Sequence, residues 1–163
     1  MGYIVLVLGV TAYSQRVDRR LKLLDAVQNI AYGAHFYLLA NPAAAASALV
    51  ACACSLTALK PRAHSRYLAL GFIAANLATG LFFCTHFYQM FASFGSCLVA
   101  WAMFRMKGVP MRVVILGATV CWLVNDFLSG SIGGTVLEVF IATANTATIV
   151  RLLLQQRRAA SAG

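Results

Sequence analysis

The chain of 163 residues is 61% hydrophobic and only 10% charged, with a mean hydropathy of +0.80. That is too little charge to cover a soluble domain of this length, so a water-soluble globule is excluded. The net charge of +9 does not point to nucleic acid either, because all thirteen Lys and Arg fall in four clusters between apolar blocks. The blocks predict an all-α membrane protein of about seven transmembrane helices with short loops and one domain, residues 1–154.

In chain order, residues 2–14 form a first helix that is short for a span and lacks the basic start of a signal peptide. The expectation is a tilted helix or coding sequence upstream of Met1. The basic run Arg16, Arg19, Arg20, Lys22 follows, then helix two over 23–40 and a tight turn at Asn41-Pro42. An alanine-rich helix three, 43–59, ends at Lys60, Arg62 and Arg66. Helices four, 67–85, and five, 88–104, are joined by a neutral turn near His86, with His86 and Gln89 read as solvated surface groups. A break carrying Arg105, Lys107 and Arg112 precedes helix six, 113–129. The glycine turn Gly130-Ser-Ile-Gly-Gly134 then leads into helix seven, 135–154, with Arg151, Arg157 and Arg158 at its end and a polar, mobile tail over 155–163.

Basic loops alternate without exception with loops that carry no Lys or Arg. The positive-inside rule turns this into an orientation, N-terminus out and C-terminus in, with anionic headgroups of the bilayer as the partner of the clusters. The layout also repeats. A basic loop, a helix, a neutral hairpin and a small-residue helix occupy 16–59 and again 105–150. An offset of 90 positions pairs Lys22 with Arg112, Tyr32 with Trp122 and His35 with Asn125, almost without identity. Helix four then links two three-helix units running the same way, a 3+1+3 plan like that of parallel-repeat carriers.

The segment from Met111 to Phe140, with Asn145 and Arg151 beyond it, resembles the YgjV family of bacterial inner-membrane proteins. The pattern Cys121-Trp122, Phe127, Gly130 to Thr135 and Glu138 carries the likeness, and residues 34–49 agree more weakly. The family is similar in layout to the SWEET and PQ-loop carriers, which implies a bundle with a central solute path in the inner membrane. It implies no particular substrate. The family pattern has Asn and Arg where this chain has Ala51 and Cys54, and His-Asn where it has Asn125-Asp126.

Ionisable groups inside a span are expensive and face a partner or a cavity. Asp25 stands three residues after Lys22 and is read as its ion-pair partner. Asp126 and Glu138 sit on the two arms of the glycine hairpin, at a depth matched by His35 on helix two. Asp25, Gln28, Tyr32 and His35 form one helical stripe. Thr135, Glu138, Ala142, Asn145 and Thr148 form another, and Trp122, Asp126 and Ser129 a third. The candidate solute or proton pathway is therefore His35, Asp126, Glu138, Asn145, Tyr32, Trp122 and Asn125. The two aromatics are placed to sandwich a flat solute, and the Asn145 amide to offer both a donor and an acceptor. A purely structural network that locks helices together fits the same residues.

The five cysteines have no zinc spacing and read as small buried apolar residues. No nucleophile–base pair, metal cluster or cofactor motif is present in the sequence, so neither an enzyme nor a cofactor is expected. Two functions from different classes remain: a facilitator or secondary carrier of a small polar solute, and a non-transporting structural or assembly protein, either of them open to homo-oligomers. Reporter fusions test the orientation. Fusions after Arg66 and Arg158 should score cytoplasmic, and one at Gly130 periplasmic; a cytoplasmic score at Gly130 breaks the seven-span scheme.

Overall fold

A computed structural model describes residues 2–60 and 65–161, which hold helices and no strand. They form α1 (Gly2–Tyr13), α2 (Asp18–Leu38), α3 (Pro42–Thr57), α4 (Arg66–Phe83), α5 (Met90–Arg105), α6 (Gly108–Leu128) and α7 (Ile132–Ser161), with a 3-10 turn at Phe87–Gln89 before α5. Four of these, α4, α5 with its leading turn, α6 and α7, are long and apolar enough to cross a bilayer. Arg62 of the second basic cluster lies outside the described residues.

α1, α2, α3, α5, α6 and α7 close a ring in which each helix packs against the next, and α7 returns to α1. α4 lies outside this ring against α3 and α5, with only Ala69, Asn76 and Gly80 buried. Large apolar side chains such as Leu81, Phe82 and Phe127 face outward, an arrangement that suits lipid and not water. Small residues let the helices approach closely. A Cβ at Gly80 would sit 2.9 Å from Ser93 Oγ, and one at Gly9 would sit 2.9 Å from Leu137 and 3.0 Å from the Gln28 amide.

Three helices are longer than the apolar runs suggest. α2 starts at Asp18 rather than at 23, and α6 at Gly108 rather than at 113. One residue explains both. Asp18 is in the first turn of α2, where an acid suits the helix dipole. Its side chain also accepts from Gly108 N at 2.9 Å and from Arg112 Nη2 at 3.3 Å, so it caps α6 from a neighbouring helix. Pro110 does not oppose the early start, since a first-turn amide hydrogen has no partner within the helix and proline simply lacks it. α7 runs on to Ser161 instead of ending at 154. At 1.5 Å per residue this long helix reaches roughly 45 Å, well beyond a hydrocarbon core of about 30 Å. The expected mobile tail is therefore helical up to Ser161.

The α2–α3 and α6–α7 turns share one hydrogen-bond pattern. In the first, Leu39 N donates to His35 O, Ala40 N to Tyr37 O and Asn41 N to Phe36 O; in the second, Ser129 N donates to Asn125 O, Gly130 N to Phe127 O and Ser131 N to Asp126 O. Both close by the six-to-one bond of a Schellman turn. The left-handed position is Ala40 (φ 53°) in one and Gly130 (φ 69°) in the other. Each turn then caps the next helix. Asn41 Oδ1 accepts from Ala44 N at 3.1 Å, and Ser131 Oγ accepts from Gly134 N at 3.2 Å. The two turns also clasp each other, with Asn41 Nδ2 donating to Ser129 Oγ at 3.2 Å. At the third turn on this side, Gln89 is buried rather than solvated. Its Oε1 accepts from Thr85 N at 2.8 Å and His86 N at 3.3 Å, which holds the loop closed.

Gly134 has no room for a side chain. A Cβ there would lie 2.6 Å from Asp126 Oδ2 and 2.7 Å from Ser131 Oγ, whereas one at Gly133 meets nothing within 4 Å. Gly134→Ala should lower stability by about 1–3 kcal/mol through overpacking. Gly133→Ala should stay within about 0.5 kcal/mol. Thermal melts of the purified protein in one detergent compare the two.

Candidate functional site

The ring encloses polar groups from α1, α2, α3, α6 and α7, and α2 supplies the longest row. Along it stand Lys22, Asp25, Gln28 and Tyr32, all buried, at spacings of three and four that keep them on one face. Lys22, Asp25 and Tyr32 find partners on neighbouring helices, whereas Gln28 Oε1 has none. The Lys22 ammonium donates to Ala58 O at 3.4 Å and Met103 O at 2.8 Å, at the C-terminal ends of α3 and α5. A cation suits those carbonyl ends. The expected Lys22–Asp25 ion pair is thus absent.

Asp25 turns instead to neutral donors. Its Oδ1 accepts from the Tyr13 hydroxyl at 2.6 Å. Its Oδ2 accepts from Ser55 Oγ at 2.6 Å and from Asn29 Nδ2 at 3.0 Å. Tyr13 and Ser55 come from α1 and α3, in apolar surroundings that gave no sequence signal for either. Only Asn29, one turn from Asp25 on the same helix, was legible by spacing.

Toward the hairpin end, Asp126 and Glu138 converge as expected. Both are buried, at 0% and 4% exposure, and both contact one group, the Tyr32 hydroxyl. Tyr32 bonds to Asp126 Oδ2 and lies 3.2 Å from Glu138 Oε1. Asn125 Nδ2 donates to Asp126 Oδ1 at 3.1 Å. His35 joins this group only at its edge: its Nε2 lies 3.3 Å from Ser131 Oγ and bonds neither acid. Arg112 pairs with Asp18 at 3.3 Å, and the contacts of Asp126 and Glu138 at Tyr32 are with neutral groups.

Trp122 stacks against this cluster from α6. Its ring centroid is 5.5 Å from that of Tyr32 and 5.9 Å from that of Phe36. The two aromatics expected to flank a solute therefore touch one another, and no ring fits between them in this conformation. Asn145 lies farther along α7, two turns from Glu138, where its Nδ2 donates to Arg112 O at 2.9 Å. Nearby, Thr148 Oγ1 donates to Tyr13 O at 3.1 Å and Arg112 Nη2 to Gln15 O at 2.8 Å. The buried stripe of α7 runs through Ile141 rather than Ala142. Arg112, read from sequence only as a loop cation, is fully buried.

Several atoms in this interior have no partner: Gln28 Oε1, Asn125 Oδ1, Asn145 Oδ1 and Arg112 Nε and Nη1. Groups of three or more His, Cys, Asp and Glu placed to hold a metal are absent among the described residues.

The Tyr32 hydroxyl is the one group contacting both acids, so removing it leaves buried polar groups unpaired. Tyr32→Phe should cost about 1–3 kcal/mol, read as a lower melting temperature, and the loss should shrink in the double variant Tyr32→Phe with Glu138→Gln.

Comparison with known proteins places this bundle. No solved structure matches the chain. The inner membrane protein YgjV of Escherichia coli strain K12 is 33% identical over 158 residues, which cover 97% of this chain and 85% of that protein. The family Imp-YgjV, described as bacterial inner membrane protein, matches residues 1–156. With several helices able to cross a bilayer and a family match along nearly its whole length, the chain belongs to the YgjV family of bacterial inner-membrane proteins.

Proposed function

We propose that this inner-membrane protein is a carrier or facilitator for a small polar solute. One observation carries the reading: the set of buried polar atoms without partners on the inward faces of α2, α6 and α7. Each such atom costs free energy in an apolar interior, and together they line a path that offers donors and acceptors to a polar guest. A bundle built only for cohesion gains nothing from leaving them unpaired. Asp126, Glu138 and Tyr32, with His35 above them, form the gate or coupling group of this path. Asn145 and Asn125 supply uncharged contacts, and Trp122 with Tyr32 forms an aromatic wall that parts to admit the solute. We assign the protein no enzymatic reaction.

In this reading all seven helices cross the membrane, the N-terminus outside and the C-terminus in the cytoplasm, as the alternation of basic and neutral loops supports. The two halves are parallel repeats joined by α4, a SWEET-like 3+1+3 plan. The matching bonds of the two turns support it, since every donor and acceptor of the first recurs 90 positions later in the second. The position of α4 outside the ring supports it as well. The close packing of Tyr32, Phe36 and Trp122 favours the second reading, a structural or assembly protein without transport.

Growth and uptake profiling of a strain lacking the protein separates the two. Across small polar metabolites, at least one should enter more slowly and recover on complementation. Glu138→Gln should fail to restore that uptake while reaching the membrane in normal amount. A strain indistinguishable from its parent on every solute sinks the carrier reading, and restoration by Glu138→Gln removes Glu138 from its mechanism.

A further inference from the structure

We propose that the bundle holds two proton stations in series, the Tyr32-bridged acid pair and a second one at Asp25, and that the ion coupled to transport is the proton. The inference rests on the carrier reading and names its coupling ion.

Hydrogen-bond counting motivates the first station. A phenol has one hydrogen, yet the Tyr32 oxygen contacts a carboxyl oxygen of both Asp126 and Glu138. Tyr32 donates in one contact, so the other is donated by a carboxylic acid to the phenol oxygen. One of the two acids therefore carries a proton. Asp126 accepts from Asn125 as well, which satisfies a carboxylate and leaves Glu138 as the protonated member.

Asp25 has the opposite inventory. Three neutral groups, Tyr13, Ser55 and Asn29, all donate to it. Three donors favour the carboxylate form of Asp25 and make it a seat that can take a proton, with the Tyr13 and Ser55 hydroxyl oxygens able to accept from it once loaded. The groups facing it are these three, the Cys52 and Cys54 thiols of α3, Lys22 one turn away and Glu138 of α7, which lies within electrostatic range. Gln28 stands between the stations, one turn from Asp25 and one from Tyr32. Its Oε1 is a buried acceptor with no donor, which is the feature a proton-bearing guest would meet on the way.

Both ends have an approach. Ser131 Oγ, held 3.3 Å from His35 Nε2, lies with Asp126 Oδ2 against the open side of Gly134, so His35 and Ser131 connect the pair to the hairpin end. A cleft of about 170 Å³ lined by Asp18, Arg19, Lys22, Ala58, Leu59 and Lys107 opens at the basic end, one turn from Asp25. In one cycle the O–H bond on Glu138 breaks and a new O–H bond forms on Asp25, with no electron transferred. The pair is reloaded from the His35 side, and Asp25 releases its proton to the cleft.

The test uses the whole protein in liposomes with the proton as the probe. An imposed pH gradient, with potassium and valinomycin clamping the potential, is read by a trapped pH dye. Wild type should conduct protons above empty vesicles, Asp25→Asn and Glu138→Gln should each fall to the empty-vesicle rate, and Asp25→Glu should recover. Infrared spectra of the same samples should show a carboxylic-acid carbonyl band that Glu138→Gln removes and Asp25→Asn leaves, a readout that requires no transport. Proton conduction retained in Asp25→Asn overturns the second station. Loss of the acid band in Asp25→Asn, or its absence from wild type, overturns the assignment of the proton. Solute uptake in cells together with no proton flux in liposomes keeps the carrier and ends the relay.

Discussion

A polar group in hydrocarbon must find its partner inside the protein, because lipid offers none. The interior of this bundle is arranged around that constraint. Lys22 and Arg112 are both buried cations close to helix ends, and both are held chiefly by backbone carbonyls: Ala58 and Met103 for Lys22, and Gln15, with the Asp18 carboxylate, for Arg112. Helix C-termini and the segments after them carry unpaired carbonyls by necessity. Placing a cation there gives those carbonyls a donor, and it ties α2 to α3 and α5, and α6 to the end of α1.

The same economy sets the character of the two ends. At one end, Arg16, Arg19, Lys107 and Arg151 surround helix termini, and Asp18 is the acid that organises them by capping α6. At the other end there is no Lys or Arg among the described loop residues, and cohesion comes from neutral groups. Asn41, Ser129, Ser131 and Gln89 close and clasp the turns. With cations absent from that end, the acids Asp126 and Glu138 meet around a tyrosine hydroxyl rather than an ion pair. The charge asymmetry between the two ends thus also decides what chemistry is available at each depth.

Bridging by one hydroxyl makes the pair sensitive to geometry. Tyr32 is held by ring contacts with Phe36 and Trp122, and Asp126 by Asn125 and by the absence of a side chain at Gly134. A shift of α6 against α2 would part Tyr32 from Asp126, and a shift of α7 would part it from Glu138. The contact of Tyr32 with Trp122 and its bridge to the two acids consequently depend on how α2, α6 and α7 meet.

Much of this was legible in the residues alone. Long apolar runs and thirteen clustered cations dictate a membrane bundle, because no other solvent tolerates that composition. Asn41-Pro42 and the Gly130–Gly134 run set the turns, since a cap side chain, a fixed φ and a left-handed position are local requirements. The depth of Asp126 and Glu138 followed from counting residues back from that hairpin, which is why their convergence was predictable while His35, on a separate turn, bonded Ser131 instead. What spacing along one helix does not contain is the identity of the neighbour across the gap. Lys22 and Asp25 are three residues apart, yet tertiary packing gives the lysine to two helix ends and the aspartate to Tyr13 and Ser55. Asp18 reads as a loop residue until α6 is brought against it. Gln89 reads as a surface group until the α4–α5 turn folds over it. Composition and local turn chemistry belong to the sequence because their causes lie within a few residues. The choice of partner for each buried polar group belongs to the tertiary structure, because it depends on which helix faces which.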